Sequence, residues 1–397
     1  MTKHIGIVDK DSPYITALIA GTATRRDIVS QALLEKNASD DVIDNAELLT
    51  ELVNTCFWTS TNVEEGRTVK GTVCVCSPIQ VPQALTFDKP VPLSVKNLTT
   101  LLTASPQSSP AVHADKGRLV IWGLTSGSPI FSLKLRIATI GTIVASVTSD
   151  IIAVLERGEV HIPKSAGGIE WNMIVAKALD QTKTFTERMK LAAKIQHVVT
   201  AMHRQGHGGT LLLLPSSQTT WEKHVTFSFR FNESSTFAIQ QHIIELEKAQ
   251  ELNKAIKTGD IATSSSLSPH SEIVVARQKF LAMLLQSVGD LSAIDGAVVI
   301  DEELKVIGFG AKLQVELEDF EFIAIDALSG VHETVSYANL GGTRHQSAAR
   351  FVHQNHDAMA FVASQDGRLT LLAWVIDDGK VVAVRNLEHF VWEYPQN

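Results

Sequence analysis

The chain has 397 residues, 44% hydrophobic and 20% charged, with a net charge of −8. That length holds two or three domains whose cores need no covalent staples, and the acidic balance excludes a broad basic face for nucleic acid. Three cysteines, Cys56, Cys74 and Cys76, are too few and too irregularly spaced for a disulfide framework or a zinc site.

Helical spacing recurs over 28–54, first at Ile28, Ala32 and Leu33, then at Leu48, Leu49 and Leu52. Thr68 to Cys76 alternates as a strand, with Cys74 and Cys76 as two small residues on one face. Arg118–Gly123 and Ile130–Leu135 read as two strands around a Gly/Ser/Pro turn, and 137–163 adds short strands broken at Gly141 and Gly158. A helical region over about 168–204 stops at Gln205-Gly206-His207-Gly208-Gly209. The apolar run Thr210–Pro215 then reads as a buried strand of the N-terminal region, and Val225–Phe231 alternates again.

Residues 236–256 form a helix with a charged face, and 257–271 is the clearest loop. Glu272–Leu291 is an amphipathic helix that feeds Asp295-Gly296-Ala297. Strands follow at Val298–Ile300, Lys305–Phe309 and Phe320–Ile325, then a helix from about Thr343. Ala358–Ala363 and Arg368–Trp374 form a hairpin closed by Ser364-Gln365-Asp366-Gly367, and Lys380–Arg385 is a last strand. No apolar run reaches the roughly 18–20 residues that span a bilayer. Met1–Gly6 has no secretory pattern, so a cytoplasmic location without membrane contact is expected.

Two junctions concentrate chemistry. Asp295 places a carboxylate at a strand start, where Gly296 lets backbone or ligand come close. The run Gly341-Gly342-Thr343-Arg344-His345-Gln346-Ser347-Ala348 opens a helix, whose first N–H groups favour anions. Thr343 is placed to cap that helix with its hydroxyl. Arg344 can fork onto phosphate oxygens and His345 can meet a metal or a phosphate. Alone, Asp-Gly is a common turn and the second run an ordinary capped helix. Together they make a kit for a nucleoside triphosphate and a divalent cation. Other candidates are weaker. His207-Gly208-Gly209 has no Gly-x-Ser-x-Gly partner. Gly308–Lys312 misses the spacing of a phosphate loop and reads as a strand end, with Lys312 near the nucleotide. His353 and His356 read as surface histidines rather than a metal pair.

In order and spacing, Asp295-Gly296-Ala297, then Gly342–Ala348, Asp357-Ala358, an apolar strand and Ser364-Gln365-Asp366-Gly367 resemble the signature of diadenylate cyclase domains. Such domains join two ATP molecules into cyclic di-AMP. The resemblance covers about residues 272–375. It implies Asp295, Arg344 and His345 as the catalytic set, with Asp295 and His345 on Mg or Mn. It implies Gly296, Ala297, Gly342, Thr343, Gln346, Ser347 and Ser364 as nucleotide-binding residues. It also implies homo-oligomers in which two domains meet face to face, each presenting one ATP. The chain departs from the family at Gln346, where an arginine is usual, and at Gln365-Asp366, where two glutamates are usual. Those changes leave open a nucleotide receptor without turnover, or a non-enzymatic scaffold.

Upstream, Glu64-Glu65-Gly66-Arg67, Leu119–Gly123 and Gly206–Thr210 resemble uncharacterised modules that precede some such domains and are taken as sensors. The expected fold is α/β (mixed α+β). Residues 1–235 form a sensor-like α/β region of one or two subdomains, and 236–397 a cyclase-like mixed sheet flanked by helices.

Overall fold

Short apolar segments, several of them buried along their whole length, build two large mixed sheets, each in its own compact unit. The computed structural model describes residues 10–20, 40–64, 66–81, 83–106, 108–126, 132–147, 150–163, 171–179, 182–215, 220–232, 237–258, 268–316, 319–375 and 378–391. The protein is a mixed α+β chain, as expected.

The first unit takes in the described part of 1–170. Its strands are β1 (Gly71–Val75), β2 (Leu85–Pro92), β3 (Ser109–Asp115), β4 (Arg118–Thr125), β5 (Leu133–Thr139), β6 (Thr142–Val147), β7 (Asp150–Glu156) and β8 (Glu159–His161). They lie in the order β8-β7-β6-β5-β1-β3-β4-β2. Helix α1 (Ala46–Ser60) starts where the Asn45 side chain accepts from the Glu47 and Leu48 amides, and α2 (Val95–Ala104) starts at Ser94. Leu49, Leu52, Val53 and Cys56 of α1 and Leu98 and Leu102 of α2 pack on Val73, Val75, Leu133, Leu135 and Ile143. On the other face Cys74, Cys76, Ala111 and Trp122 form a small cluster, with the Trp122 indole donating to the Cys76 carbonyl at 2.7 Å. All three cysteines are free and buried, and burial pushes the Cys56 thiol up to about 12.

One expected neighbour relation fails here. The strands at 118–125 and 133–139 are separated by β1 and β3. The cause is the parallel pairing of β1 with β3, which needs a crossover, supplied by β2 and α2. The turn between the two expected strands, and the 28–39 part of the expected helical stretch, lie outside the described residues.

The second unit takes in Trp171–Ala327 and Val331–Trp392. Its strands are β9 (Gly209–Leu214), β10 (Val225–Arg230), β11 (Ala297–Asp301), β12 (Val306–Leu313), β13 (Glu321–Asp326), β14 (His332–Ser336), β15 (Met359–Ala363), β16 (Leu369–Val375) and β17 (Lys380–Arg385). Their order is β10-β12-β11-β9-β15-β16-β17-β13-β14. Strand β9, expected in the N-terminal region, is central to this sheet, parallel to β11 and antiparallel to β15. Its unbroken run of leucines is the pattern of a strand buried on both faces. The division between units accordingly falls at 170/171, well before residue 235.

Helices cover both faces. Helix α3 (Trp171–Ala178) and α4 (Phe185–Arg204) replace the single expected helix; the capping box of Thr184 and Glu187 starts the second. Helix α5 is Phe237–Thr258 and α6 is Ser268–Asp290. Trp171 stacks on Phe361 with ring centroids 5.7 Å apart, while its indole donates to the Ala192 carbonyl at 2.9 Å. On the opposite face, α7 (Thr343–Gln354) buries Ala348, Ala349, Phe351 and Val352 against Leu212, Val299, Ala360, Val362, Leu372 and Ala383. Edge strand β14 went unread in the sequence because its residues are mostly exposed and polar.

Candidate functional site

The strand directions bring one set of ends together. Strands β9 and β11 are parallel, so their starts share one edge of the sheet. Antiparallel β15 ends there, β16 begins there and β17 ends there, with Gly209 opposite Ala363 and Leu371 opposite Val384. The start of α7 lies at the same edge. A cavity of about 700 Å³ opens here, and its wall includes Asp295, Gly341, Gly342, Thr343, Arg344, His345 and Ser364. That volume lies in the usual range for small-ligand sites.

The two motifs therefore meet. Arg344 Nη2 lies 3.1 Å from Asp295 Oδ1, across 49 positions of sequence. The Asp295 side chain is 91% exposed and that of Arg344 37%. Gly342 is the N-cap of α7 and offers no side chain, so the first-turn amides are left to a ligand or water. Thr343 was expected to cap; it is instead the first helical residue, because Gly342 already holds the extended cap conformation. Gly341, at φ +132°, lets the His345 ring lie against the backbone: a Cβ there would sit 3.3 Å from the imidazole.

His345 is buried, and burial holds its pKa below the ordinary 6.5. The Arg385 guanidinium pushes the same way, while Asp366 opposes it. The imidazole is thus unprotonated at neutral pH, the form that can ligate a metal. The turn after β15 is tied down from several sides. Ser364 donates its hydroxyl to the Asp366 carboxylate, which lowers that carboxyl's pKa. Ser364 N bonds the Arg368 carbonyl at 2.9 Å, and His203 of α4 meets the Gly367 carbonyl at 2.7 Å.

Four expected nucleotide-binding residues are not in the cavity wall. Ala297 is buried in the core at the start of β11. Gln346 turns its amide back to the Gly341 carbonyl at 3.2 Å, and Ser347 bonds the Arg344 carbonyl at 3.1 Å. Gly296 also lies outside it, against the backbone of Gly310 and Ala311. Lys312 is exposed on β12, away from the wall. His356 stacks on Trp374 with centroids 3.7 Å apart, and His353 meets the same indole edge-on.

Conversely, the wall contains Asn339, Asp366, Arg368, Thr370, Arg385 and Asn386. Asp366 belongs to the hairpin turn already singled out, and Asn339 lies just before the Gly341-Gly342 run; Arg368, Thr370, Arg385 and Asn386 arrive through strand order. Gly208 belongs to the site as well. At φ +72°, a Cβ on it would lie 3.1 Å from an Arg344 guanidinium nitrogen, so the glycine turn before β9 packs over that arginine.

Burial of His345, His197 and His353 has a consequence for pH. Each is held below 6.5, first by burial. Above 6.5 neither folded nor unfolded chain is protonated there, and the stability is intact. As pH falls below 6.5 the unfolded chain takes up protons that the fold refuses, so stability drops until the folded pKa values are passed. The melting temperature of the second unit is expected to fall on acidification from about pH 7 to 5. His345→Gln should make that fall shallower; an unchanged slope would show that His345 is not a contributor.

Among the described residues, no group of three His, Cys, Asp or Glu side chains gathers to hold an ion, and no helix is long and apolar enough to cross a membrane. Residues 39–126 match the family model described as the probable sensor domain DACNV. Two of the segments behind the sensor resemblance, Glu64–Arg67 and Leu119–Gly123, fall inside that match, and Gly206–Thr210 falls outside it. No curated protein matches the chain. One similar solved structure is the hypothetical membrane spanning protein from Bacillus cereus, 15% identical, covering 51% of this chain and 71% of that one, with a TM-score of 0.25. The chain thus carries a sensor-like module at 39–126.

Proposed function

We propose that the second unit is a diadenylate-cyclase-like domain that condenses two ATP into cyclic di-AMP and two pyrophosphates, under control of the upstream sensor-like module. The observation that carries this reading is the shared cavity in which Asp295 and Arg344 meet at 3.1 Å. The sensor match adds support, because modules of that kind are often paired with diadenylate cyclase.

In this chemistry each ribose 3′-oxygen forms a bond to the α-phosphorus of the other ATP. The α–β phosphoanhydride bond breaks, pyrophosphate departs, and the hydroxyl proton passes to solvent. Arg344 and the uncapped amides of α7 spread the charge that builds on the phosphate. Asp295, exposed at the cavity edge, orients the attacking hydroxyl. Asp295 and unprotonated His345 offer an oxygen and an imidazole donor, a set that suits Mn and, less well, Mg. Such an ion, completed by phosphate oxygens, would neutralise charge on the triphosphate. The exposure of Asp295 suits a second copy that presents its own ATP face to face.

A nucleotide receptor is the second reading. Gln346 is turned away onto the Gly341 carbonyl, and Asp366 is engaged by Ser364. Purified protein should be incubated with ATP and manganese and assayed for cyclic di-AMP by mass spectrometry. Product is expected. ATP-dependent thermal stabilisation without product favours the receptor. Neither response would sink both.

A further inference from the structure

We infer that Arg385 is a specificity-determining residue of this cavity, holding the far end of a polyphosphate so that a nucleoside triphosphate is preferred over a monophosphate. The inference rests on the nucleotide reading of the site.

Three guanidinium groups line the cavity. Arg344 is paired with Asp295 at 3.1 Å, and Arg368 with Asp366 at 3.6 Å. Arg385 differs. Among the described residues no carboxylate lies within ion-pair distance of it. Its Nη2 reaches only the Asn339 carbonyl, at 3.4 Å, and its guanidinium lies 5.5 Å from the Phe322 ring centroid. A permanent charge without a counter-charge, facing a cavity, is a site for an anion.

The backbone under Arg385 is held in place. It is the last rung of β17, paired in parallel with Asp326 of β13, and its carbonyl accepts from the Ala327 amide at 3.1 Å. The next residue, Asn386, takes the left-handed conformation at φ +64° and donates to the Asp326 carboxylate. A non-glycine residue held there is uncommon and needs surrounding support. The chain thus turns sharply after Arg385, with Asn386 also in the cavity wall.

Strand order sets the length of the ligand. Asp295 precedes β11 and Arg385 ends β17, and the order β11-β9-β15-β16-β17 puts four strand steps between them. At about 4.8 Å per step, the two backbones are roughly 19 Å apart across the sheet edge. Both side chains nevertheless border one cavity. A ligand that meets both ends must be extended and anionic at the Arg385 end, which a nucleoside triphosphate is and a monophosphate is not.

Isothermal titration of the full chain with ATP, AMP and inorganic tripolyphosphate tests this, using wild type, Arg385→Gln and Arg385→Lys, each checked by thermal unfolding. Arg385→Gln is expected to weaken ATP and tripolyphosphate by about 10–100-fold and AMP by less than about threefold. Arg385→Lys keeps the charge but loses the fork, so it should fall between, and it carries the test if the glutamine variant does not fold. Equal losses for ATP and AMP, or none, would overturn the role of Arg385 and leave the nucleotide reading standing. Arg385-dependent tripolyphosphate binding without ATP binding would keep the anion site and sink the cyclase reading. A wild-type chain that binds none of the three overturns both.

Discussion

Asp295→Ala is expected to lower cyclic di-AMP formation at least about a hundredfold in kcat/KM while moving the melting temperature by no more than about 1–2 °C. The separation follows from where the side chain sits. At 91% exposure it packs into no core, and its ion pair with Arg344 is of the solvent-screened kind that adds little to stability. What the carboxylate does is local. It holds the Arg344 guanidinium at 3.1 Å, and in the proposed reaction it aligns the attacking hydroxyl. Its removal also frees Arg344 to meet phosphate, so metal-free ATP binding should persist or tighten as turnover collapses. That split between binding and turnover would not arise from partial unfolding. Asp295→Asn keeps the shape but loses the charge and should fall between. Full activity in Asp295→Ala would end the assignment of this carboxylate.

The elements that carry the site were legible because their patterns are local. Helix α7 shows its apolar stripe at Ala348, Phe351 and Val352, and the hairpin of β15 and β16 shows two apolar runs around Ser364-Gln365-Asp366-Gly367. The meeting of Asp295 with Arg344 was legible only through the resemblance; no periodicity links residues 49 apart. Arg385 could not be found that way. Its role depends on β17 lying between β16 and β13, a parallel pairing with a strand some sixty residues earlier, and nothing near Arg385 in sequence announces it. Gly208 is similar. A glycine turn between a helix and a strand has an ordinary explanation, and only the pairing of Gly209 with Ala363 brings it over Arg344. The misplacement of β9 has the same root. A leucine run says that a strand is buried, but not in which sheet.

Gly296→Ala is expected to destabilise the second unit by about 3–5 kcal/mol, from backbone strain and overpacking together, and to lower its melting temperature by roughly 10 °C or more. The sequence leaves this glycine to the close approach of backbone or ligand, and in the structure the backbone of Gly310 and Ala311 comes close to it. Its φ is +114°, a region that L side chains rarely adopt. A Cβ there would lie 2.6 Å from Gly310 C and 2.8 Å from Ala311 N, backbone atoms that cannot swing aside. Strand β12 is irregular at this point. Its pairing with β11 slips between Ala297 and Val299 and again before Ile300, and Gly310 itself stands at φ +62°. The glycine run Gly308-Phe309-Gly310 is therefore the bulged partner that lets the Asp-Gly-Ala backbone come close, which explains glycines that fit no phosphate loop. Asp295 inherits its direction from this contact, so activity in Gly296→Ala should fall further than the folded fraction. Thermal unfolding and product formation measured on the same sample separate the two. A variant with an unchanged melting temperature and no activity would return Gly296 to the ligand and remove the packing argument.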